Sequence, residues 1–229
     1  VYLLIMRTIP DNGDYIDIHS HHSDVPEGVF RIYNIFLQDF QEDTAYEAIS
    51  VGLHPWHIEN YDNLNNLEAN LDRAIQKKNV VAVGECGLDK IIKVPLEKQK
   101  DIFMKQVRIS EKNDLPVIIH CVKAYQELLE IRKETGSDQP WILHGFNSSA
   151  QLAGDMIDKG IYISAGTRLL HSSKKCHEVL NAIPAEFLFI ETDDEENIRE
   201  IYEKVAECIK IGVKELKDNV LNNYKKVFK

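Results

Sequence analysis

The sequence predicts an α/β fold, a TIM-like (β/α)8 barrel. Eight short apolar runs rich in β-branched and aromatic residues alternate with segments of helical period, which is typical of βα units joined in a parallel sheet. Eight such units in 229 residues fit the compact end of the barrel's size range. Histidine, glutamate or aspartate residues, which can bind metals or transfer protons, follow six of the eight runs. An open doubly wound sheet is the alternative, and the absence of a Gly-rich phosphate loop after the first run weakens it.

The predicted strands follow from the apolar runs, because strands buried on both faces of a sheet have near-continuous apolar sequence. They cover residues 15–18, 29–37, 46–53, 80–83, 115–119, 141–143, 161–164 and 187–190. The connection over residues 20–28 is shorter than the roughly dozen residues that a parallel crossover needs. The outer helix between the first two strands is therefore expected to be missing, or the second and third strands could form an antiparallel hairpin.

Helical periodicity places apolar residues on one face of each longer connection. The predicted helices cover residues 64–75, 96–113, 122–134, 198–209 and 213–224. No Pro/Gly-rich linker, low-complexity segment or internal repeat interrupts this alternation. Residues 1–229 are therefore expected to form a single barrel domain.

Composition excludes several classes of protein. The 27 Lys+Arg and 37 Asp+Glu give a formal net charge of −10, which argues against a protein that coats nucleic acid or an anionic membrane by bulk charge. A nuclease whose phosphate contacts are local or carried by metal ions is not excluded. Four widely spaced cysteines without a CxxC pair predict a reduced, cytoplasmic protein. The apolar run at residues 3–6 is too short for a signal sequence or membrane span, so no membrane partner is expected.

Residues with metal-binding side chains recur at the ends of the predicted strands. In a barrel the carboxyl ends of all strands meet at one rim, and that rim carries the catalytic groups. A single histidine after a strand is most often structural, but six recurrences at matching positions favour a functional site. The residues concerned are His19 and His21, His54, Glu85, His120, His144, and Asp193.

The types and spacing of these residues predict a metal site for one or two divalent ions. Side chains alternate along a strand, so His19 and His21 face the same side and can share one ion. Glu85 can bridge two ions through its two oxygens, and His120 and His144 can complete the second ion. Mixed imidazole and carboxylate ligands suit Zn, Mn, Fe, Ni or, less readily, Mg. Such a site lowers the pKa of a bound water and holds both oxygens of a phosphate ester.

Other residues near the rim are predicted to support these ligands. Asp193 can bind the first ion and accept a proton from a bound water. Asp17 points to the same side as His19, so a hydrogen bond to a ligand histidine is expected. Asp89 is expected to give similar support, or to cap the end of its strand. Trp56 follows the third strand at the rim and fits packing or the stacking of a base equally well.

Six motifs in order resemble those of the TatD family of metal-dependent deoxyribonucleases. They are DIHSH at 17–21, GLHP at 52–55, VGECGLD at 83–89, LPVIIH at 115–120, HGFNS at 144–148 and ETD at 191–193. Single motifs of this length are common in unrelated proteins, whereas six in order are specific. The similarity extends over residues 15–228.

The resemblance implies a TIM-like barrel with one or two divalent ions, Mg, Mn or Zn, that hydrolyses the phosphodiester bonds of DNA. Single-stranded DNA or a DNA end is the implied partner, and a monomer or weak oligomer is expected. The residues that the resemblance assigns to one metal are His19, His21, Glu85 and Asp193, and those that it assigns to the other are Glu85, His120 and His144.

The resemblance also implies catalytic and substrate-binding roles. Asp193 and Glu85 would be catalytic, with Asp193 orienting or deprotonating the attacking water, and His54 would lie near the scissile phosphate. The family usually has an arginine soon after the fifth-strand histidine, and Lys123 is the nearest cation here. The family's loop after the ETD motif is also shortened, and Arg168 could supply the missing positive charge.

Two other functions stay open at this point. The acidic surface and the shortened loop favour a hydrolase of another small phosphoester, ester or amide on the same scaffold. The third alternative is a metal-bound partner subunit of a DNA-processing complex, which would bind metal without turnover.

Overall fold

The computed structural model describes residues 8–171, 173–195 and 197–228. Within these residues, eight strands form one sheet in sequence order, and every neighbouring pair is parallel. The predicted TIM-like barrel is confirmed. The strands are β1 (Tyr15–Ser20), β2 (Val29–Phe36), β3 (Ala48–Gly52), β4 (Val80–Asp89), β5 (Val117–Val122), β6 (Trp141–Leu143), β7 (Ile161–Ala165) and β8 (Leu188–Ile190).

Helices cover the outer wall of the barrel, as the periodicity predicts. No helix in the described part of the chain combines the length and the apolar character that a bilayer span needs. The helices are α1 (Leu67–Ala74), α2 (Leu96–Lys112), α3 (Tyr125–Thr135), α4 (Ala150–Ile157), α5 (Thr167–Leu170), α6 (Ser173–Ala182), α7 (Ile198–Ile209) and α8 (Val213–Val227). Short 3₁₀ helices lie at Leu37–Asp39, Pro55–His57, Leu64–Asn66 and Ala185–Phe187.

The corner from β1 to β3 is irregular. Residues 21–28, between β1 and β2, contain no helix, which confirms the predicted missing outer helix. The antiparallel hairpin considered for β2 and β3 is wrong, because Ile32 pairs with Ala48 in a parallel register. The connection between these strands turns back without an α-helix. Its Tyr46 ring lies 4.1 Å from the Tyr33 ring of β2 and covers the outer face of that strand.

The C-terminal helix packs against the barrel through aromatic side chains. Tyr224 of α8 packs edge-on against Phe30 of β2, with ring centroids 5.2 Å apart. Both side chains are fully buried. Phe228 then stacks on Tyr224 at 4.5 Å. Side chains alternate along a strand, so Phe30 shares its face of β2 with Asn34, which contacts Glu85 inside the barrel. The aromatic side chains at the end of α8 therefore pack near the amino end of the barrel interior.

Two strands are longer than their apolar runs predict. β4 continues to Asp89 and β5 to Val122, because backbone pairing with the neighbouring strand persists after the apolar run ends. Gly87 still pairs with His120 in this extension. Glu85 and His120 therefore stand within strands, not after them, and their side chains have the fixed directions of strand residues.

Backbone bonds close the barrel near the carboxyl ends of β8 and β1. Asp193, just after β8, forms a parallel bridge with Ser20 of β1. The His21 N–H donates to the Asp193 carbonyl at 3.1 Å, and the Asp193 N–H donates to the His19 carbonyl at 3.0 Å. The closure of the barrel thus fixes three predicted site residues relative to one another.

Near the start of β1, a tyrosine side chain of α7 forms the hydrogen bonds that a neighbouring strand would otherwise form with the backbone. The Tyr202 hydroxyl donates to the Ile16 carbonyl at 2.9 Å and accepts from the Ile16 N–H at 3.2 Å. Both residues are fully buried. Replacing Tyr202 by Phe leaves two buried backbone groups without a partner, so we expect the free energy of unfolding to fall by about 1 to 3 kcal/mol. Urea unfolding followed by circular dichroism measures this loss.

Tyr61→Phe is the matched control for this variant. The Tyr61 hydroxyl accepts one hydrogen bond from the Asn70 side chain at 2.9 Å and is only partly buried. Water can replace it, so the loss should stay below about 1 kcal/mol. Equal losses of unfolding free energy in the two variants would show that the Tyr202 hydrogen bonds to Ile16 do not stabilise β1.

Candidate metal centre

Glu85 lies at the centre of the cluster at the barrel rim, with only 3% of its surface exposed. Its two carboxylate oxygens face different histidines. Oε2 lies 3.5 Å from His19 Nε2 and 3.6 Å from His21 Nε2. Oε1 lies 2.7 Å from His144 Nε2 and 2.9 Å from His120 Nδ1. The carboxylate therefore separates two groups of nitrogen donors, which is the arrangement that a bridging ligand requires.

Asp193 completes the group on the Oε2 side. Its Oδ1 lies 3.8 Å from His19 Nε2 and 3.7 Å from His21 Nε2. In the described residues, four overlapping sets of donor atoms lie within 4.8 Å of one another and could hold a metal ion. The sets are His19, His21 and Glu85; His19, His144 and Asp193; His54, Glu85 and His120; and His21, Asp193 and Asp194.

The environment of His19 fits a metal ligand. Its side chain is fully buried, and neither ring nitrogen has a hydrogen-bond partner. A buried polar nitrogen without a partner costs free energy, and a metal ion at Nε2 would remove that cost. The imidazole and carboxylate donors around it suit Zn, Mn or related divalent ions. The residues at the rim therefore fit one or two such ions.

Burial and neighbouring charge set the protonation of the cluster. Burial lowers the pKa of His19 well below its usual value, so its imidazole is in the neutral form that binds metals. Burial alone would raise the pKa of Glu85, but the charge of His144 and hydrogen bonds from His120 and His144 hold it well below the usual range. Burial raises the pKa of Asp193 above that of an exposed aspartate, which makes this carboxylate a better proton acceptor.

Asp89 supports the His120 side of the cluster. Its Oδ2 lies 3.3 Å from His120 Nε2 and accepts the Trp56 Nε1–H at 2.8 Å. The Asp89 backbone N–H donates to the Gln99 side chain of α2 at 2.7 Å. Burial alone would raise the pKa of Asp89, but the hydrogen bonds from His120 and Trp56 lower it to about 2. The carboxylate is thus charged and holds the His120 ring in a fixed orientation.

Asp17 has different partners from those that the sequence predicts. Its carboxylate accepts hydrogen bonds from Arg31 Nε at 2.9 Å, and from the Thr192 N–H and hydroxyl at 3.0 and 2.8 Å. None of these partners is His19. The Thr192 hydroxyl also bonds the Ser20 hydroxyl at 2.9 Å, so Asp17 faces the same side of β1 as Ser20, which the register shift between these two residues allows. Burial raises the pKa of Asp17 to about 6 against the lowering effect of Arg31. Asp17 therefore positions the chain that leads into Asp193.

Two buried residues near the ligands were not singled out from the sequence. The Asn34 side-chain oxygen accepts the Glu85 N–H at 2.7 Å, which fixes the backbone that carries the carboxylate. Glu191 Oε1 accepts the Gly145 N–H and lies 3.7 Å from His144 Nδ1. Asn34 is a polar residue inside an apolar run, and Glu191 opens the ETD motif. Those signals could have indicated both residues.

The three predicted substrate-binding residues have different surroundings. His54 Nε2 lies 3.3 Å from Glu85 Oε1, inside the cluster. Arg168 Nη2 lies 3.3 Å from Asp193 Oδ2. His54 and Arg168 both line a cavity of about 650 Å³ that opens onto the cluster. Lys123 is exposed, and nothing in the described residues links it to the cluster by a hydrogen bond or ion pair. The structure therefore brings His54 and Arg168 to the site, but not Lys123.

Comparison with known proteins gives the family. The sequence model of the TatD related DNase family matches residues 37–229. The chain belongs to this family. The Bacillus subtilis protein YabD, described as an uncharacterized metal-dependent hydrolase, is 29% identical over 82% of this TatD-family chain and 78% of its own length. The predicted resemblance is confirmed, and the chain is a TatD-family metal-dependent hydrolase.

A second relative carries a more specific description. The Citrobacter koseri protein named 3'-5' ssDNA/RNA exonuclease TatD is 31% identical over 63% of this chain. The matched region spans only 56% of that protein. The crystal structure of YjjV, the TatD homolog of Escherichia coli, superposes with a TM-score of 0.79 over 93% of this chain and 97% of its own. Its sequence is 24% identical, so this likeness shows the fold.

Gly87 allows β4 to pass close to the backbone of His120. Its φ is 148°, and a Cβ at this position would lie 2.0 Å from the His120 carbonyl oxygen. Gly87→Ala therefore forces β5 to move, and we expect a loss of about 1 to 3 kcal/mol in the free energy of unfolding. Because His120 moves with β5, the affinity for Zn should fall as well. Urea unfolding and calorimetric metal titration measure the two effects.

Gly136→Ala is the control for backbone strain alone. Gly136 also has a positive φ, 58°, but no atom lies within 4 Å of the Cβ that would be added. It ends α3, on the outside of the barrel. This variant should lose about 1 to 2 kcal/mol through the left-handed conformation and keep the parent affinity for Zn. Unchanged Zn affinity in Gly87→Ala would show that the close approach of Gly87 to β5 does not set the position of His120.

Metal binding itself is tested by Glu85→Gln, which keeps the size of the side chain and removes its charge. Loss of a residue that only supports a ligand reduces metal affinity by about 10- to 100-fold, so loss of a carboxylate between two donor groups should cost at least about 100-fold. Calorimetric titration of metal-free protein with Zn and Mn measures this loss. The rise in Tm that a bound ion produces should disappear at the same time.

Asp101→Asn is the matched control for the metal titration. Asp101 is an exposed carboxylate of α2 that pairs with Lys105 on the same helix, away from the cluster, so its loss should leave metal affinity unchanged. Parent-like affinity in a folded Glu85→Gln protein would rule out Glu85 as a ligand.

Proposed function

We propose that this TatD-family chain hydrolyses phosphodiester bonds of DNA as an exodeoxyribonuclease that acts on single strands or ends. The observation that carries the proposal is the Glu85 carboxylate with histidine nitrogens on both sides. A pair of metal sites suits phosphodiester hydrolysis, because two ions can stabilise both the attacking and the leaving oxygen. The name of the Citrobacter koseri relative supports a nucleic-acid substrate.

The ligands would divide between two positions. His19, His21 and Asp193 would hold an ion on the Oε2 side of Glu85, and His120 and His144 would hold an ion on the Oε1 side. Ions bound there would lower the pKa of a water molecule and polarise the phosphate. Zn, Mn and Mg are the candidates.

Asp193 is the proposed proton acceptor. Its Oδ1 faces the histidines and its Oδ2 faces Arg168, so the carboxylate is oriented from both sides. It lies at the edge of the cavity, with its side chain 14% exposed, where a substrate and a water can reach it. The guanidinium of Arg168 has five N–H donors, and those not directed at Asp193 can bind the phosphate.

His54 is proposed to contact the substrate and not a metal. The Trp56 backbone N–H donates to His54 Nδ1 at 3.1 Å. A neutral imidazole whose Nδ1 accepts a hydrogen bond carries its proton on Nε2. His54 Nε2 is then a donor, which can bind a phosphate oxygen but cannot ligate an ion. Lys123, which does not line the cavity, stays a prediction as a substrate contact.

A hydrolase of small esters or amides is the second candidate. Asp194 and Glu195 are exposed at the rim, and Asp194 lines the cavity. Arg168, which could offset them, is paired with Asp193. This local excess of negative charge repels a polyanion and favours a smaller or less charged substrate.

A metal-reconstituted nuclease assay with Asp193→Asn tests the proposal. Metal-free protein is loaded with Mg, Mn or Zn and mixed with end-labelled single- and double-stranded DNA. We expect stepwise shortening by the parent protein. Loss of a positioned proton acceptor typically costs about 10²- to 10⁴-fold, so kcat/KM of Asp193→Asn should fall by that factor. Asp101→Asn should retain full activity.

The other outcomes distinguish the alternatives. Intact DNA together with hydrolysis of small phosphoesters or esters would replace the nuclease proposal with the second candidate. Metal binding with no turnover of any substrate would indicate a partner subunit of a DNA-processing complex.

A further inference from the structure

Two large apolar side chains are exposed at the mouth of the cavity that contains Glu85. Trp56 is 57% exposed and Ile91 is 64% exposed, and both line this cavity. Exposed apolar surface beside a polar site is a feature of ligand-binding clefts. Outside the cavity, the described residues have only two other exposed large apolar side chains, Ile9 and Val25.

One carboxylate holds both members of this pair. Asp89 Oδ2 accepts the Trp56 Nε1–H at 2.8 Å, and Asp89 Oδ1 accepts the Ile91 N–H at 2.9 Å. The same Oδ2 lies 3.3 Å from His120 Nε2. The Trp56 ring and the backbone of Ile91 are therefore fixed relative to the metal ligands, so little conformational entropy is lost when a ligand binds against them.

The Trp56 ring is not stacked on any side chain of the cluster. It stands at 84° to the His54 ring and at 74° to the His120 ring, with centroids 4.8 and 5.9 Å apart. Both contacts are edge-to-face. The residue is more than half exposed and lines the cavity, so a flat ligand group can lie against the ring.

We propose that Trp56 and Ile91 form an apolar surface on which the base of the nucleotide beside the scissile phosphate stacks. This inference rests on the proposed nuclease function and adds the group that the site recognises. Stacking on an aromatic ring is sequence-tolerant because every base has a π-face. Bases in a duplex are already stacked on their neighbours, so the surface favours an unpaired strand end.

The charges around the cavity favour this occupant. Arg168 is the one Lys or Arg among the described residues that line the cavity, and it pairs with Asp193. The formal net charge of the chain is −10, so cationic contacts to the phosphate backbone contribute little to affinity. A neutral base can instead bind through apolar contact, which neither the acidic rim nor salt opposes.

The experiment compares two single-stranded oligonucleotides that differ only in the terminal nucleotide at the cleaved end, which is intact in one and abasic in the other. Trp56→Ala should reduce kcat/KM for the intact strand by about 10-fold, within the range of base–aromatic stacking. On the abasic strand, Trp56→Ala should give the same kcat/KM as Trp56→Phe, which loses the same N–H donated to Asp89. Ile91→Ala should show a smaller loss with the same dependence on the base.

Trp56→Phe is the matched control. Both Trp56 variants lose the N–H donated to Asp89, but only Trp56→Ala also loses the aromatic ring. Trp56→Phe should therefore recover most of the activity on the intact strand. Ile9→Ala, which changes a residue that is 61% exposed outside the cavity, should match the parent on both strands. Zn titration and thermal unfolding should give parent values for Ile9→Ala and equal values for the two Trp56 variants, since both lose the same hydrogen bond to Asp89.

Each outcome supports or overturns the inference. Equal losses on the intact and abasic strands, or equal losses on the intact strand in Trp56→Ala and Trp56→Phe, would mean that Trp56 acts through Asp89 and His120 and not by stacking. Parent activity in Trp56→Ala would also overturn the inference while the nuclease proposal stands. If the parent protein itself leaves DNA intact with every metal, the proposed function fails, and the stacking surface fails with it.

Discussion

The burial of one carboxylate, that of Glu85, is the interaction on which the rest of the site depends. A buried charge is costly unless neighbouring groups compensate for it. Here histidines from different strands surround both oxygens, with His19 on one side and His120 and His144 on the other. Parallel strands whose carboxyl ends meet at one rim provide these directions. Asn34 then fixes the backbone of the carboxylate from a further strand.

The contacts that close the barrel also set the geometry of the site. The backbone bonds that join the end of β8 to β1 involve Asp193, His19 and His21, all of which face the cluster. Below them, Asp17 holds Thr192 through two hydrogen bonds. Loss of a closing contact therefore displaces ligands as well as reducing stability, because the rim has no separate scaffold for its functional groups.

The cavity combines surfaces that favour different substrates. Its lining includes the His, Glu and Asp side chains that could hold metal ions and so suit a phosphate ester, whereas its acidic rim at Asp194 opposes a long polyanion. In the stacking proposal, the apolar mouth formed by Trp56 and Ile91 would resolve this opposition, because contact with an uncharged base does not depend on the sign of the rim. Under that proposal, a TatD-family site with few cations would select an unpaired nucleotide at a strand end in preference to the body of a duplex.

The sequence by itself determined the barrel and the candidate ligand residues, because strand–helix alternation and residues such as His19 and Glu85 at strand ends are local patterns. It also indicated the missing helix after β1 from the length of one connection. Only the tertiary structure decided which oxygen of Glu85 faces which histidine, and that Asp17 binds Thr192 and not a histidine. Those contacts join residues up to 175 positions apart. Local periodicity carries no information on such pairs, since the closure of the barrel brings them together.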